Sequence, residues 1–215
     1  MTYVLKNLLI RSLTGLVASI IFWGVFMYLP HVVFSVLLSA CAIFIVLVEW
    51  RQFPAFCQFL TPVYPLLPFF LLVLLNHHHH ALLYYLFIMV FAHDTGSYVV
   101  GISLGRTKLA PTISPNKTWE GAVGGFVATL LAVYALTHWF HVQRSLLTLV
   151  SFAFVVSVLA LAGDLFESWL KRKAALKNAG SLLPGHGGLL DRFDSILSTT
   201  FFFYVMRTSL ALLLL

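Results

Sequence analysis

The chain has 215 residues, of which 60% are hydrophobic and only 9% are charged, and its formal net charge is +6. Soluble globular domains are typically about one quarter charged, so this composition excludes an ordinary soluble domain and indicates an integral membrane protein. We expect a single membrane-embedded domain over residues 1–215 and no nucleic-acid partner.

Seven apolar segments follow one another along the chain, and a spanning helix takes roughly 20 apolar residues. They are 8–29, 31–50, 58–75, 80–103, 119–140, 146–166 and 195–215. The first runs past any small-residue cleavage site, which indicates a span rather than a cleaved signal peptide. The third is short and proline-rich, which predicts either a re-entrant or a broken helix. The predicted fold class is therefore all-α, a polytopic bundle of about seven transmembrane helices.

The charged residues predict the orientation, because Lys and Arg concentrate on the cytoplasmic side of membranes. With the N-terminus inside, eleven of the thirteen basic residues fall on that side, and the exceptions are Arg144 and Arg207. The acidic residues lie on or near the same face: Glu49, Asp94, Glu120, Asp164, Glu167, Asp191 and Asp194. We therefore predict a polar cleft facing the cytoplasm, in a protein of a bacterial inner membrane.

The first polar block covers residues 91–121 and contains "FAHDTGSYVVG" and "SPNKTWEG". Asp94 lies inside a predicted span with Ser97 on its face, which suits either a satisfied buried acid or a ligand. Asn116 and Lys117 lie in a loop that enters a helix. They have the chemistry to hold a phosphate, and an ordinary membrane-surface loop explains them equally well.

The second block, "AGDLFESWLKRK" at 162–173, is predicted to be the cytoplasmic end of a helix. Asp164, Ser168 and either Lys171 or Arg172 are then three or four residues apart and share one face. An ion pair at a helix end is the plain explanation. This explanation is less convincing because Asp164 follows a continuous apolar run, where an uncompensated carboxylate is unfavourable.

The third block, "KNAGSLLPGHGGLLDRFDS", covers 177–195. Its glycines Gly185, Gly187 and Gly188 allow a tight turn whose N–H groups can face a phosphate, and Lys177 and His186 flank that turn. Asp191 and Asp194 follow at the start of the last helix. Two close carboxylates repel unless a cation is shared or one of them is protonated, and Mg²⁺ with oxygen ligands is the simplest such cation. A helix cap explains one aspartate, but not the whole cluster.

Together these blocks predict phosphoryl or nucleotidyl transfer with a metal ion. The run from Ser168 to Asp194 also closely resembles the signature of the phosphatidate cytidylyltransferases, or CDP-diacylglycerol synthases. That signature reads S-x-x-K-R, four residues, K-D-x-G, then P-x-H-G-G, two residues, D-R-x-D. The sequence departs from it at one fixed position, where Asn178 replaces the aspartate. The motif-bearing resemblance covers roughly 90–200, with 1–90 as N-terminal spans and 195–215 as the last span.

The resemblance implies the reaction of CTP with phosphatidic acid to give CDP-diacylglycerol and pyrophosphate. It implies Mg²⁺ as the cofactor, with a second, monovalent cation such as K⁺, and leaves a homodimer open. Metal ligands would be Asp164 and Asp191, then Asp194 and Asp94. Catalytic cations would be Lys171, Arg172 and Lys177, with Asp164 and Asp191 also catalytic. Substrate would contact the remaining candidates: Ser168, His186, Gly187, Gly188, Arg192, Asn116 and Lys117.

Three alternatives stay open at the level of the sequence. The first is a CTP-dependent enzyme acting on another lipid phosphate or a polyprenol. The second is a transporter with a cytoplasmic-facing ion site, and the third is an inactive relative that serves as a membrane scaffold, which Asn178 makes worth testing. The run His77–His80 lies on the predicted outer side, where a polar loop between two spans explains it better than a metal site.

Overall fold

The computed structural model describes residue 17, residues 19–182 and residues 187–215, and these are mostly helical. The long helices are α1 (Ser19–Tyr28), α2 (His31–Phe44), α4 (Leu67–His78), α5 (His80–Ser103), α6 (Trp119–Trp139), α7 (Leu146–Lys173) and α8 (Leu190–Val205). The short ones are α3 (Ala55–Gln58) and α9 (Arg207–Leu214). A π-helical turn (Ile45–Glu49) and a 3₁₀ turn (Trp50–Gln52) continue α2, and a second π-helical turn (Pro62–Leu66) precedes α4.

Four of the described helices are long and apolar enough to cross a membrane: His31–Gln52, His80–Ser103, Trp119–Trp139 and Leu146–Lys173. A fifth span is possible if α8 and α9 are counted as one, although they are bent by 88°. The predicted count of about seven is therefore not confirmed. The first predicted span begins outside the described residues, and its described part is the short helix α1.

The third predicted span is a broken helix, one of the two forms expected from its prolines. Tyr64 has φ −148° and ψ 117°, which is an extended rather than a helical conformation. The residue before a proline is pushed out of the α region by the proline ring, and Pro65 follows directly. The apolar helical segment that contains this break, Pro62–His78, is shorter than a typical span.

Helices α5 and α6 pack closely because glycines line their contact. A Cβ at Gly96 would lie 2.5 Å from the Ala128 Cβ and 2.7 Å from the Gly124 carbonyl oxygen. A Cβ at Gly124 would overlap the side chain of Val100. Small residues let membrane helices approach this closely. The contact fixes the position of α5, the helix that carries Asp94.

A short antiparallel hairpin joins α5 to α6, where the sequence predicts only a loop. Its strands are β1 (Lys108–Ala110) and β2 (Ser114–Thr118). The Thr118 hydroxyl accepts a hydrogen bond from Gly121 N at 3.1 Å and so caps α6. The Glu120 carboxylate accepts hydrogen bonds from the backbone N–H groups of Arg106 and Thr107. The described chain is thus mostly helical, as predicted, with one short hairpin that sets the position of Lys117.

The order of the helices brings the three polar blocks to one end of the bundle. The C-terminal ends of α5 and α7 lie there with the hairpin and the N-terminal ends of α6 and α8, and we call this the motif end. The run His77–His80 lies at the other end, where α4 meets α5. There the Asn76 side chain donates to the His31 carbonyl and to the Ser35 hydroxyl, and contacts His80 Nδ1 at 2.8 Å.

The glycine contact between α5 and α6 gives a test of the fold. We expect Gly96→Ala to lower the free energy of unfolding by about 1–3 kcal/mol, the usual cost of overpacking. Gly24→Ala is the control, because a Cβ at Gly24 would meet nothing within 4 Å. Thermal unfolding of both variants in the same detergent measures the difference, and equal midpoints would contradict the close packing.

Candidate active site

The first pair at the motif end joins the hairpin to α7. Lys117, at the end of β2, forms an ion pair with Asp164. Ser168, one helical turn further on, donates its hydroxyl to Asp164 Oδ1 at 3.3 Å. Burial alone would lower the pKa of the Lys117 amine. The carboxylate of Asp164, helped by Asp94 and Asp194, more than offsets this and raises the pKa above its usual value. Lys117 is therefore a firmly held cation.

The second cluster is centred on Lys171, which lies between two carboxylates. Its ammonium pairs with Glu167 on the same helix and with Asp191 Oδ1 at 2.7 Å at the start of α8. The Glu167 side chain is fully buried and, apart from this ammonium, its oxygens have no polar partner among the described residues. Lys171 thus pairs with two carboxylates and connects α7 to α8.

Asp191 also organises the glycine turn. Its Oδ2 accepts hydrogen bonds from Gly188 N at 2.7 Å and from Ala179 N at 3.0 Å. Gly187 has φ +82°, in the left-handed region, and a Cβ there would lie 2.6 Å from Asp191 Oδ2. Only glycine suits that position. One carboxylate therefore holds two separate backbone segments and a buried lysine.

A third set of contacts connects α5 to α8 through Ser195. The Ser195 hydroxyl donates to Asp94 Oδ1 at 3.3 Å, and the Ser195 N–H donates to Asp194 Oδ1 at 2.7 Å. Within the described ranges, Oδ2 of Asp94 and Oδ2 of Asp194 accept no hydrogen bond. Among the described acids at this end, these two oxygens and the buried Oε1 of Glu167 have no polar partner.

Five predicted residues remain, and the structure describes four of them. Arg172 is committed to the backbone, since its guanidinium donates to the carbonyls of Ile113 and Leu176, both at 3.1 Å. Asn116, Lys177 and Arg192 are exposed at the motif end. His186 lies outside the described residues. The structure therefore brings together nine of the candidates: Asp94, Lys117, Asp164, Ser168, Lys171, Gly187, Gly188, Asp191 and Asp194.

Three residues in this network were not predicted from the sequence. Glu167 had a usable signal, because it lies three residues after Asp164 and four before Lys171, on neighbouring helical positions. Ser195 had only its adjacency to Asp194. Glu49 accepts hydrogen bonds from the backbone of Leu189 and Leu190, and no local spacing marks a contact between residues so far apart.

The acids have the right chemistry for magnesium, although they are not assembled as a complete protein cage. Among the described residues, no group of three or more His, Cys, Asp or Glu side chains is arranged to hold a metal ion. Magnesium is usually bound through one or two carboxylates, with substrate phosphates and water completing its shell. The open oxygens of Asp94 and Asp194 fit that smaller requirement.

Comparison with known proteins agrees with the motif pattern. The sequence model of the cytidylyltransferase family matches residues 3–210. A Haemophilus influenzae protein named phosphatidate cytidylyltransferase is 37% identical over 122 residues, which cover 55% of this chain and 42% of that relative. Proteins of the same name from Staphylococcus aureus and Staphylococcus saprophyticus are 41% and 42% identical over 111 residues, covering 52% of this chain and 43% of each relative.

The matched part of the chain thus spans less than half the length of these curated relatives. The family model, in contrast, matches nearly the whole chain, including the N-terminal helices and all three polar blocks. The chain therefore belongs to the cytidylyltransferase family.

Proposed function

We propose that this protein is a phosphatidate cytidylyltransferase, which makes CDP-diacylglycerol and pyrophosphate from CTP and phosphatidic acid. The observation that carries the proposal is the paired network of Lys117, Asp164, Lys171 and Asp191 at one end of an apolar bundle. A site for two phosphate-bearing substrates needs buried cations that are held in place, and family membership supports the same reaction.

The proposed chemistry suits residues that neutralise charge rather than abstract protons. A phosphate oxygen of phosphatidic acid, already ionised, attacks the α-phosphorus of CTP. A new P–O bond forms there, and the bond from the α-phosphorus to the bridging oxygen of the β-phosphate breaks, releasing pyrophosphate. The main barrier is repulsion between the two anions, and fixed cations reduce it most when they face the developing charge.

We propose that Lys117 and Lys171 change partners when substrate binds. In this structure the Lys117 ammonium pairs with Asp164, and the Lys171 ammonium pairs with both Glu167 and Asp191. A phosphate is a competing acceptor for either cation. The exposed candidates Asn116, Lys177 and Arg192 are free to contact the triphosphate or the lipid phosphate, and Arg172 contributes by holding the hairpin against α7.

The glycine turn is proposed to support the phosphates through its backbone. Gly187 has φ +82°, a conformation that residues with a side chain rarely adopt, and Asp191 keeps the turn in register with α8. His186 is assigned to the same turn from the family signature alone. Ser168 keeps Asp164 oriented toward Lys117.

Magnesium fits this site as the proposed cofactor. Asp94 and Asp194 would hold it through their open oxygens, with Asp164 and Asp191 as further ligands once their lysines turn to substrate. When bound, the metal supplies additional positive charge beside the α-phosphorus and the leaving pyrophosphate. A second, monovalent cation such as K⁺ belongs to the same proposal.

We also propose the orientation and the setting of the enzyme. The motif end faces the cytoplasm of a bacterial inner membrane, since eleven of thirteen basic residues fall on that side. The acyl chains of phosphatidic acid stay in the bilayer while its head group enters a polar cleft there. The full count of about seven spans and a homodimer remain part of this proposal.

The first test is synthesis from labelled CTP and phosphatidic acid with Mg²⁺, using purified protein. We expect product with the wild type and a loss of about 100-fold or more with Asp191→Ala, because removing one organising group from a charged site costs about that much. Ser151→Ala is the control, since on an exposed face its hydroxyl donates to the Leu147 carbonyl and to no other described residue.

The outcomes of this assay separate the alternatives. Equal turnover by the wild type and Asp191→Ala would remove Asp191 from the machinery. Activity with CTP but only on another lipid phosphate or a polyprenol would change the substrate class. Ion flux in proteoliposomes without CTP consumption would indicate a transporter. No product from either the wild type or Asn178→Asp would indicate an inactive relative.

A second test addresses the lysines. We expect Lys117→Gln to lower kcat/KM for CTP by about tenfold or more, because it removes a charge-assisted contact and leaves Asp164 without its counter-ion. Lys173→Gln makes the same change of charge at the end of α7, where the ammonium lies 5.9 Å from the centre of the Trp169 ring. Steady-state kinetics should give near wild-type values for that control, and equal losses in both variants would argue for a general surface-charge effect.

A further inference from the structure

Glu49 is a buried acid that none of the sequence motifs contains. It lies at the end of the π-helical turn after α2, in the N-terminal part of the chain, and is only 1% exposed. A buried carboxylate is costly unless hydrogen bonds or a cation compensate it. Its partners therefore indicate what this residue does.

Both carboxylate oxygens of Glu49 accept hydrogen bonds from the start of α8. Leu189 N donates to Oε1 at 2.7 Å, and Leu190 N donates to Oε2 at 2.8 Å. The first N–H groups of a helix have no partner within the helix, and its N-terminal dipole favours a negative charge. Glu49 thus caps α8 from a distant part of the chain.

The same carboxylate fills the space left by two glycines. A Cβ at Gly180 or at Gly188 would lie 2.7 Å from Glu49 Oε1, which is closer than real contacts allow. Gln52, three residues after Glu49, donates its side-chain amide to the Ala179 carbonyl at 3.4 Å. The segment after α2 therefore contacts the backbone on both sides of residues 183–186.

These contacts lead directly to Asp191. Leu189 and Leu190 immediately precede it, and Gly188 donates its N–H to Asp191 Oδ2. A shift of this backbone would move the Asp191 carboxylate away from Lys171, its ion-pair partner at 2.7 Å. The position of Asp191 thus depends on a side chain from the π-helical turn that follows α2.

We propose that Glu49 is a positioning residue for Asp191 and for the backbone of residues 188–190 that leads into it. It holds residues 179–180 and 188–190 in the arrangement that the nucleotide phosphates require, and so couples the N-terminal helices to the motif end. This inference rests on the proposed function for its kinetic consequence. Its structural part, the anchoring of the turn by Glu49, is tested separately.

The structural part is tested by hydrogen exchange of the backbone amides at 188–192 in the intact protein in detergent. Within the described residues, the Leu189 and Leu190 amides donate only to Glu49, so their protection reports on this contact directly. We expect Glu49→Ala to speed their exchange by about tenfold or more, the effect of losing a hydrogen bond to a charged group. Glu49→Gln keeps the shape but only one acceptor oxygen, and should give an intermediate rate.

The kinetic consequence of the proposal is tested by measuring KM and kcat separately for each variant. We expect Glu49→Ala to raise KM for CTP by about tenfold or more, with a smaller rise in Glu49→Gln and little change in KM for phosphatidic acid. Arg144→Gln is the matched control. Glu49 holds two backbone N–H groups of a distant segment, and the Arg144 guanidinium likewise holds a distant segment by donating to two backbone carbonyls, those of Leu212 and Leu213, at the opposite end of the bundle. It should lower thermal stability without changing either KM.

Each result decides the proposal. Wild-type exchange at residues 188–192 in both Glu49 variants would overturn the anchoring. Faster exchange with an unchanged KM for CTP would overturn the positioning role and reduce Glu49 to a stabilising cap. If the wild type proves inactive with CTP and phosphatidic acid, the proposed function fails, while the exchange measurement still accepts or rejects the anchoring.

Discussion

Compensation of charge inside an apolar bundle is the constraint on which the motif end depends. Lys171 lies between Glu167 and Asp191, and Lys117 pairs with Asp164. A carboxylate left alone at these depths would be strongly unfavourable. The pairs join α7 to α8 and to the hairpin, so the groups proposed to carry the chemistry also hold the helices in register. Changing one member therefore affects both the local structure and the charge available to a substrate.

Such pairs are compatible with the exchange of partners that we propose for the two lysines. In this structure carboxylates pair with both lysines, and phosphate oxygens are strong acceptors for an ammonium group. In the proposed reaction the released carboxylates would be available to a divalent cation with oxygen ligands. Binding of the substrate phosphates and binding of the metal would then favour each other, because phosphate would release carboxylates to the metal and the metal would release lysines to phosphate.

Local spacing predicted the parts of the site that lie within one element. Asp164, Ser168 and Lys171 were expected on one face of a helix, and they are. Contacts between distant segments had no such signal: Glu49 meets Leu189 across 140 residues, and the role of Lys117 depends on a hairpin that the sequence did not indicate. Hydropathy located the apolar segments but not their geometry, because Pro65 breaks one of them and the last bends by 88° between α8 and α9.

The glycine turn shows why the motifs alone do not build the site. Gly180 and Gly188 belong to the motif-bearing part, yet the group that fills the space beside them is the carboxylate of Glu49, from the π-helical turn after α2. A side chain at either glycine would collide with Glu49, and a loss of Glu49 would leave two N–H groups of α8 without partners. Glycine at 180 and 188 therefore depends on Glu49, and the capping of α8 by Glu49 depends on those glycines. The N-terminal part of the chain is therefore a structural component of the proposed active site rather than only a membrane anchor.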